Sequence, residues 1–248
     1  MRTLAPGFEY GRWTLPTPAP AGDGLVRFVR VDPHLVDIEL RAASSTDGRA
    51  RTASEWAATD TDRPAVAVIN AAMFQDDDLT NVGYLRLRGR VQNPTWAPDY
   101  NALLTLDPTG GDLPGLHNLG CEDRDALLGR FATAVQSIRM IGCAGENVWA
   151  QERRRWSSAL IGTDTQGRLL LLFTRSPYTM HDLVDMLLQG PLGLVGLHYG
   201  DGGPPAAMYV RGPGFEERNV GSYETGVNPD DDNTMEWALP NVVVVRGR

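Results

Sequence analysis

Two short runs place residues able to do chemistry directly behind apolar, strand-like stretches. Asn70-Ala-Ala-Met-Phe74 follows Ala65-Val-Ala-Val-Ile69 and leads into Gln75-Asp-Asp-Asp78. An amide at a strand end can orient a polar ligand, or simply cap a turn. Tyr199-Gly-Asp201-Gly-Gly-Pro-Pro205 closes a second apolar run. Here Asp201 supplies a carboxylate, while Gly202 and Gly203 let the backbone approach a ligand and present N–H donors. The plainer alternative is a tight turn with a solvated aspartate. Arg175, in Thr174-Arg-Ser176, and Arg139, just beyond Gln136, end strands on guanidinium groups, as anion clamps or as surface arginines. Glu224 lies between two glycines in Gly221-Ser-Tyr-Glu-Thr-Gly226 and is a second loop carboxylate.

The four histidines, His34, His117, His181 and His198, have no metal-ligand spacing. His198, close to Asp201, is the one able to reach a ligand; His181 reads as structural. The runs Asp76–Asp78 and Asp230–Asp232 lack the spaced ligands of a calcium hand. No cofactor is therefore expected, with an oxygen-ligated divalent cation such as calcium left open. There is no G-x-S-x-G, no phosphate-binding P-loop and no paired-cysteine motif.

The elements that must position these residues follow from periodicity and turn chemistry. Residues 1–24, with Pro6, Pro16, Pro18 and Pro20, read as an extended N-terminal segment. Leu25–Val31 alternates as a strand, Asp32-Pro33 turns the chain, and Val36, Ile38 and Leu40 share one face of the next strand. Thr52-Ala-Ser-Glu55 is a capping box before a short helix with Trp56. Ala65–Asn70, Tyr84–Val91, Asn101–Asp107 and Ala134–Ile138 read as strands, and Asp123–Ala132 as a helix. Ser158–Ile161 and Leu169–Thr174 flank Asp164-Thr-Gln-Gly167 as a hairpin. Thr179-Met-His-Asp182 caps an amphipathic helix with Leu183, Met186 and Leu187. Leu192–Tyr199 then makes residues 168–199 a strand–helix–strand unit, and Asn241–Val245 suits a central sheet position. The fold class expected is α+β: residues 25–248 as one domain with a mixed, mainly antiparallel sheet core and a few flanking helices.

Composition excludes several classes. The 248 residues are 42% hydrophobic, ordinary for a globular chain and against disorder or coiled coil. A net charge of −8 opposes binding to a phosphate backbone, so no nucleic-acid partner is expected. No lysine occurs, so any anion site must use guanidinium forks. With only Cys121 and Cys143, one disulfide can form but no framework and no four-cysteine zinc site; two free buried thiols are the state expected. No stretch reaches the ~18–20 apolar residues of a membrane span, and no signal peptide is expected in this chain.

Several of these clusters occur in a recognisable order. Asn70-Ala-Ala-Met-Phe74, Gly83, Gln136, Asp164-Thr-Gln-Gly-Arg168 and Asp201-Gly202-Gly203 resemble the phosphodiester glycosidase domain family, which includes the lysosomal uncovering enzyme. Arg155-Trp-Ser-Ser-Ala, Arg175-Ser-Pro-Tyr178, Gly221–Gly226 and Pro240-Asn241-Val are similar to an uncharacterised bacterial branch, and the likeness spans roughly residues 25–246. Pro204 and Pro205 stand where the wider family has glycine and serine, and Asp201 where the bacterial branch usually has glutamate. The resemblance implies a secreted or periplasmic hydrolase of carbohydrate metabolism, its signal removed, acting on a phosphorylated sugar or glycan.

The implied reaction is hydrolysis of a sugar-1-phosphate diester at the C1–O bond. The leaving phosphate monoester has a second pKa of about 6, so it departs with little help from an acid. One carboxylate plus a cationic clamp then suffices where most glycosidases use two carboxylates. Asp201 is the carboxylate facing C1, as nucleophile or base, with Glu224 as reserve acid or base. Asn70 orients a sugar hydroxyl or Asp201. Gly202 and Gly203 give backbone donors, His198 contacts substrate, and Arg175, with Arg139, holds the phosphate. The alternative is a non-catalytic module binding phosphorylated or acidic glycans.

Overall fold

The computed structural model describes residues 1–248. Strands β1 (Arg2–Ala5), β2 (Phe8–Thr14), β3 (Leu25–Val31) and β4 (Val36–Ala42) precede helix α1 (Ala53–Ala58). Next come β5 (Ala67–Asn70), β6 (Leu85–Leu87), β7 (Arg90–Asn93), β8 (Ala102–Pro108), β9 (Gly115–Asn118), α2 (Arg124–Arg130) and β10 (Phe131–Ser137). The second half holds β11 (Trp156–Asp164), β12 (Leu169–Tyr178), α3 (Met180–Gln189), β13 (Leu194–Gly202), β14 (Ala207–Gly212), β15 (Phe215–Val220) and β16 (Asn241–Gly247).

All strand pairs are antiparallel, in three sheets ordered β1-β2-β3-β12-β11-β13, β7-β6-β10-β8-β9 and β15-β14-β5-β16-β4. With 44% strand and 10% helix the chain is mostly β, which corrects the α+β expectation. The reason is that its three helices are only 6, 7 and 10 residues long, each covering one patch of sheet.

The sheets enclose one main core. Val29, Ile161, Leu171 and Phe173 of the first sheet meet Ile69, Met208 and Val243 of the third-named sheet, with Leu85, Leu104 and Val135 closing the side. The opposite faces are also buried. Leu170 and Leu172 pack under Leu183, Val184 and Leu187 of α3, and Val242 and Val244 under Trp56 of α1. Burial on both faces explains why Leu169–Phe173 and Val242–Val245 are continuously apolar rather than alternating. β16 pairs with both β4 and β5, the interior position its composition suits.

Local signals predict the local structure. Thr52 and Glu55 form a reciprocal capping box on α1, and Thr179 accepts from Asp182 N (3.1 Å) at the start of α3. β12 and β13 each pair antiparallel with β11, so α3 carries the chain across β11 between two parallel strands. Elsewhere the structure differs. Residues 1–14 hold β1 and β2, with Phe8 and Tyr10 buried in the core, and only 15–24 is irregular. The prolines Pro16, Pro18 and Pro20 mark the β2–β3 connection rather than the whole N-terminal segment. Tyr84–Val91 is two strands joined at Arg88 (φ 47°) and Gly89 (φ 82°), positive-φ geometry that closes a two-residue hairpin.

Cys121 and Cys143 are disulfide-bonded and exposed, which corrects the expectation of free buried thiols. β9 and the turn after it come beside the loop that follows β10, a juxtaposition set by tertiary pairing.

Candidate active site

The site forms where the first sheet meets β5, around the last residues of β13. The register of β13 against β11 shifts by one residue: Tyr199 faces Leu160, Asp201 faces Ala159, and Gly200 is the extra residue. This bulge re-aims the side chains. Tyr199 joins the face covered by α3 and Trp156, while Asp201 turns to the inner face shared with β5. Gly200 is required there, since a Cβ would lie 2.7 Å from the Ala159 carbonyl oxygen and 3.0 Å from that of Asn70.

Asn70 fixes Asp201 from below. Its Nδ2 donates to the Pro205 carbonyl (3.1 Å) and lies 3.5 Å from Asp201 Oδ2, while its Oδ1 accepts from Ala207 N (2.8 Å). Asn70 is only 1% exposed, so it positions the carboxylate rather than meeting solvent. Asn241 holds the same turn, accepting from Ala72 N at 3.1 Å and bonding Asn81 through Nδ2.

Glu224 comes from the other side, on a loop whose backbone pairs with Trp156. Its carboxylate occupies the space a side chain at Gly203 would need, and the Tyr199 hydroxyl and Trp156 indole occupy that of Gly202. The two glycines are thus the gap through which Asp201, Glu224, Tyr199 and Trp156 come together. Their N–H groups are already committed, Gly202 N to Asp201 Oδ1 (2.8 Å) and Gly203 N to Ser157 O (2.9 Å). This corrects the expectation of free backbone donors: the glycines contribute space.

Burial pushes the Asp201 carboxyl up to about 7, with the charge of Glu224 adding to it and the Gly202 N–H and Asn70 amide working against it. Burial also raises Glu224, and the Arg154 guanidinium pulls it back. Tyr199 is held well above its ordinary value by burial and by the charges of Asp201 and Glu224, so its hydroxyl keeps its proton as a donor. The arrangement is a buried carboxyl poised near neutrality, a second carboxyl, and neutral donors over the same gap.

Aromatic residues that sequence reasoning missed wall the site. Trp149, Trp156 and Tyr199 contact one another at centroid separations of 5.4–6.4 Å. Trp156 Nε1 is buried without a hydrogen-bond partner. On another side, Gln136 accepts from Tyr84 N and Ala97 N and donates to the Ala97 and Tyr100 carbonyls, fixing the loop that carries Tyr100. Asp201 raises the Tyr100 hydroxyl after burial does. Tyr100 lines an open hollow of about 360 Å³ with Trp96, Pro98 and Gln136, large enough for part of a sugar. The one sequence signal for the wall is the pair of tryptophans seven residues apart around Glu152–Arg155.

Three expected substrate contacts are placed elsewhere. Arg175 donates to the carbonyls of Val220, Asp231 and Asn233 and pairs with the Asp231 carboxylate (2.7 Å), so its fork is spent on the loop beyond Glu224. Arg139 bonds Asn118 Oδ1 (2.8 Å) in a separate cavity beside the disulfide. His198 is fully buried and donates from Nε2 to the Ala71 carbonyl (3.1 Å); burial holds it down to about 4, neutral. These correct the clamp and contact roles: Arg175 and His198 are taken up by their own partners, and Arg139 lines a cavity that Asp201 and Glu224 do not share. No group of three or more His, Cys, Asp or Glu side chains is arranged to hold a metal ion, and no helix is long and apolar enough to cross a membrane.

A sequence model for phosphodiester glycosidase matches residues 63–246. The chain belongs to the phosphodiester glycosidase family. The matched part begins just before β5 and holds the whole Asp201–Glu224 site. Among solved structures, the fold is similar to the catalytic domain of zebrafish N-acetylglucosamine-1-phosphodiester α-N-acetylglucosaminidase, auto-inhibited by its pro-peptide. That likeness has a TM-score of 0.67 at 14% identity, covering 100% of this chain and 86% of that one. It is also similar to a hypothetical protein from Synechocystis (TM-score 0.57, 12% identity, 98% and 62% covered). At these identities the likeness is one of fold, and it takes in β1–β4, which the family match does not. No curated protein matches the sequence.

Proposed function

We propose that this phosphodiester glycosidase family member hydrolyses a sugar-1-phosphate diester at the sugar C1–O bond. The observation that carries the reading is the convergence of Asp201 and Glu224 on the Gly202–Gly203 gap beneath Tyr199 and Trp156. Asp201, ionised above about pH 7, takes a proton from water as the water oxygen bonds to C1. The C1–O bond breaks and its electron pair leaves with the phosphate oxygen. A phosphate monoester is a good leaving group near neutrality, so departure needs no strong acid. Tyr199 donates a hydrogen bond to substrate, Glu224 serves as the second acid or base, and Asn70 keeps Asp201 in place.

The test is product release from a panel of sugar-1-phosphate diesters in ¹⁸O-labelled water. The reading expects free reducing sugar carrying the label at C1, and loss of release in Asp201→Asn. Label in the phosphate would mean P–O cleavage instead. Saturable glycan binding without product, unaffected by Asp201→Asn, would mean a binding module.

A further inference from the structure

With Arg175 spent on the loop beyond Glu224 and Arg139 placed in a separate cavity, the site still needs a cation for a phosphoryl group. The run Arg153-Arg154-Arg155 leads directly into Trp156, and its three arginines have different surroundings. Arg155 lies toward the start of α3, where its charge acts on Asp182. Arg153 makes no ion pair. Arg154 lies over the Trp156 ring, its guanidinium carbon 5.5 Å from the centroid. Glu152 holds it there, accepting from Arg154 Nε (2.8 Å) through one oxygen and from Trp149 Nε1 (3.1 Å) through the other. One carboxylate thereby fixes both an arginine and an aromatic wall of the site. Both Arg154 Nη groups are left without hydrogen-bond partners, a free fork at the rim beside Glu224, whose ionisation Arg154 already favours.

We propose that Arg154, tethered by Glu152 over Trp156, is the phosphate-binding residue of this site and takes the phosphoryl oxygens of substrate and leaving group. The inference rests on the hydrolase reading for the identity of its ligand, but its geometry does not depend on turnover. A planar guanidinium with two free Nη groups matches two phosphoryl oxygens, and stacking on Trp156 preorganises it. In the reaction it meets negative charge as the C1–O bond breaks, so it favours phosphate over neutral leaving groups.

The experiment compares wild type, Arg154→Gln, Arg154→Lys and Arg153→Gln. Inorganic phosphate binding is followed by calorimetry, and kcat/KM is measured on a sugar-1-phosphate diester and on a neutral aryl glycoside of the same sugar. Arg154 is 68% exposed, so its replacement leaves the fold intact. The proposal expects Arg154→Gln to weaken phosphate binding at least tenfold and to lower kcat/KM on the diester about a hundredfold. The aryl glycoside rate falls at least tenfold less than the diester rate, Arg154→Lys lies between wild type and Arg154→Gln, and Arg153→Gln matches wild type. Phosphate binding that Arg154→Gln leaves unchanged, or equal losses in Arg153→Gln, overturns it. Absence of phosphate binding by wild type also overturns it. Phosphate binding lost with Arg154, in a protein that hydrolyses no diester, upholds the anion site while defeating the hydrolase reading. Diester hydrolysis indifferent to Arg154 does the reverse.

Discussion

Asp201 is held in a place that costs stability near neutral pH, and on the proposed mechanism the same burial tunes its carboxyl for the reaction. Its carboxyl, 9% exposed, is raised from 3.8 to about 7 by burial and by Glu224. The folded state therefore keeps a proton that the unfolded chain has lost between those values. Stability contributed by the protonated group is present below pH 3.8, falls as pH rises, and is gone above about 7. Asp201→Asn removes that dependence. We expect the variant to lose turnover by at least a thousandfold, yet to be more stable than wild type at pH 8, by up to about 4 kcal/mol. Urea melts at pH 5 and pH 8 check this, since the advantage must be larger at pH 8. A variant destabilised at both would mean that Asp201 is structural. Neutral His198 works in the opposite sense, held down to about 4, so its contribution is lost as pH falls from 6.5. Acid should accordingly destabilise Asp201→Asn more steeply than wild type. For turnover, kcat/KM should rise with pH and level off above about 7, as an ionised Asp201 requires; a profile flat from pH 5 to 9 would exclude it as the base.

Elements set where these groups point, and the bulge at Gly200 is the decisive one. Without it, Tyr199 and Asp201 would share a face, because strand side chains alternate. Gly200→Ala forces a methyl against two carbonyl oxygens of the backbone, which cannot yield as a flexible side chain would. We expect a loss of about 1–3 kcal/mol, and of activity beyond it, since relief must shift β13 relative to Asn70. A fully active Gly200→Ala protein would show that the register is not critical. Arg175 acts on a loop in the same positioning sense. Arg175→Gln strands the carbonyls of Val220, Asp231 and Asn233, at a cost of about 1–3 kcal/mol. Hydrogen exchange should quicken across residues 221–233 while β11 and β12 stay protected; uniform loss of protection would indicate global destabilisation only. The sequence reading reached the strand end and the two loop carboxylates that the fold brings together, because the glycines around Asp201 and Glu224 mark close approaches that are visible in the sequence. It assigned Arg175 and Arg139 to a phosphate because a side chain's destination depends on distant loops. The bulge, the Trp149–Trp156–Tyr199 wall and Arg154 escaped it for the same reason. Capping boxes and the Asp164–Gly167 hairpin were legible because all their partners lie within a few residues. β7 and β9 were not, being four-residue strands at the two edges of their sheet, too short for an alternation to show even though each pairs with the strand just before it.

At the scale of the molecule, the disulfide and the proposed catalytic carboxylate lie at different ends of one strand. β13 carries Asp201 at its C-terminal end, while Val195, Gly196 and Leu197 line the cavity beside Arg139 and the Cys121–Cys143 disulfide. Residues 196 and 201 are about 16 Å apart along an extended strand, so the disulfide lies well away from the carboxylates. It ties the turn after β9 to the loop after β10, across 22 residues of sequence. Closing a loop of that length removes about 3 kcal/mol of unfolded-state entropy. A chain with this much buried sheet has no need of the link in order to fold. The double variant Cys121→Ser/Cys143→Ser should therefore fold and melt about 6–12 °C lower, with kcat/KM at 25 °C within twofold of wild type. Calorimetry and initial rates measure both. The same loop runs on through Glu146 and Asn147 to Trp149, with Asn147 anchored to His181 O and Asp185 on α3. Those anchors hold the aromatic wall without help from the disulfide. Activity that collapses well below the new melting temperature would show instead that the link transmits to Trp149, and that the two ends of β13 are not independent.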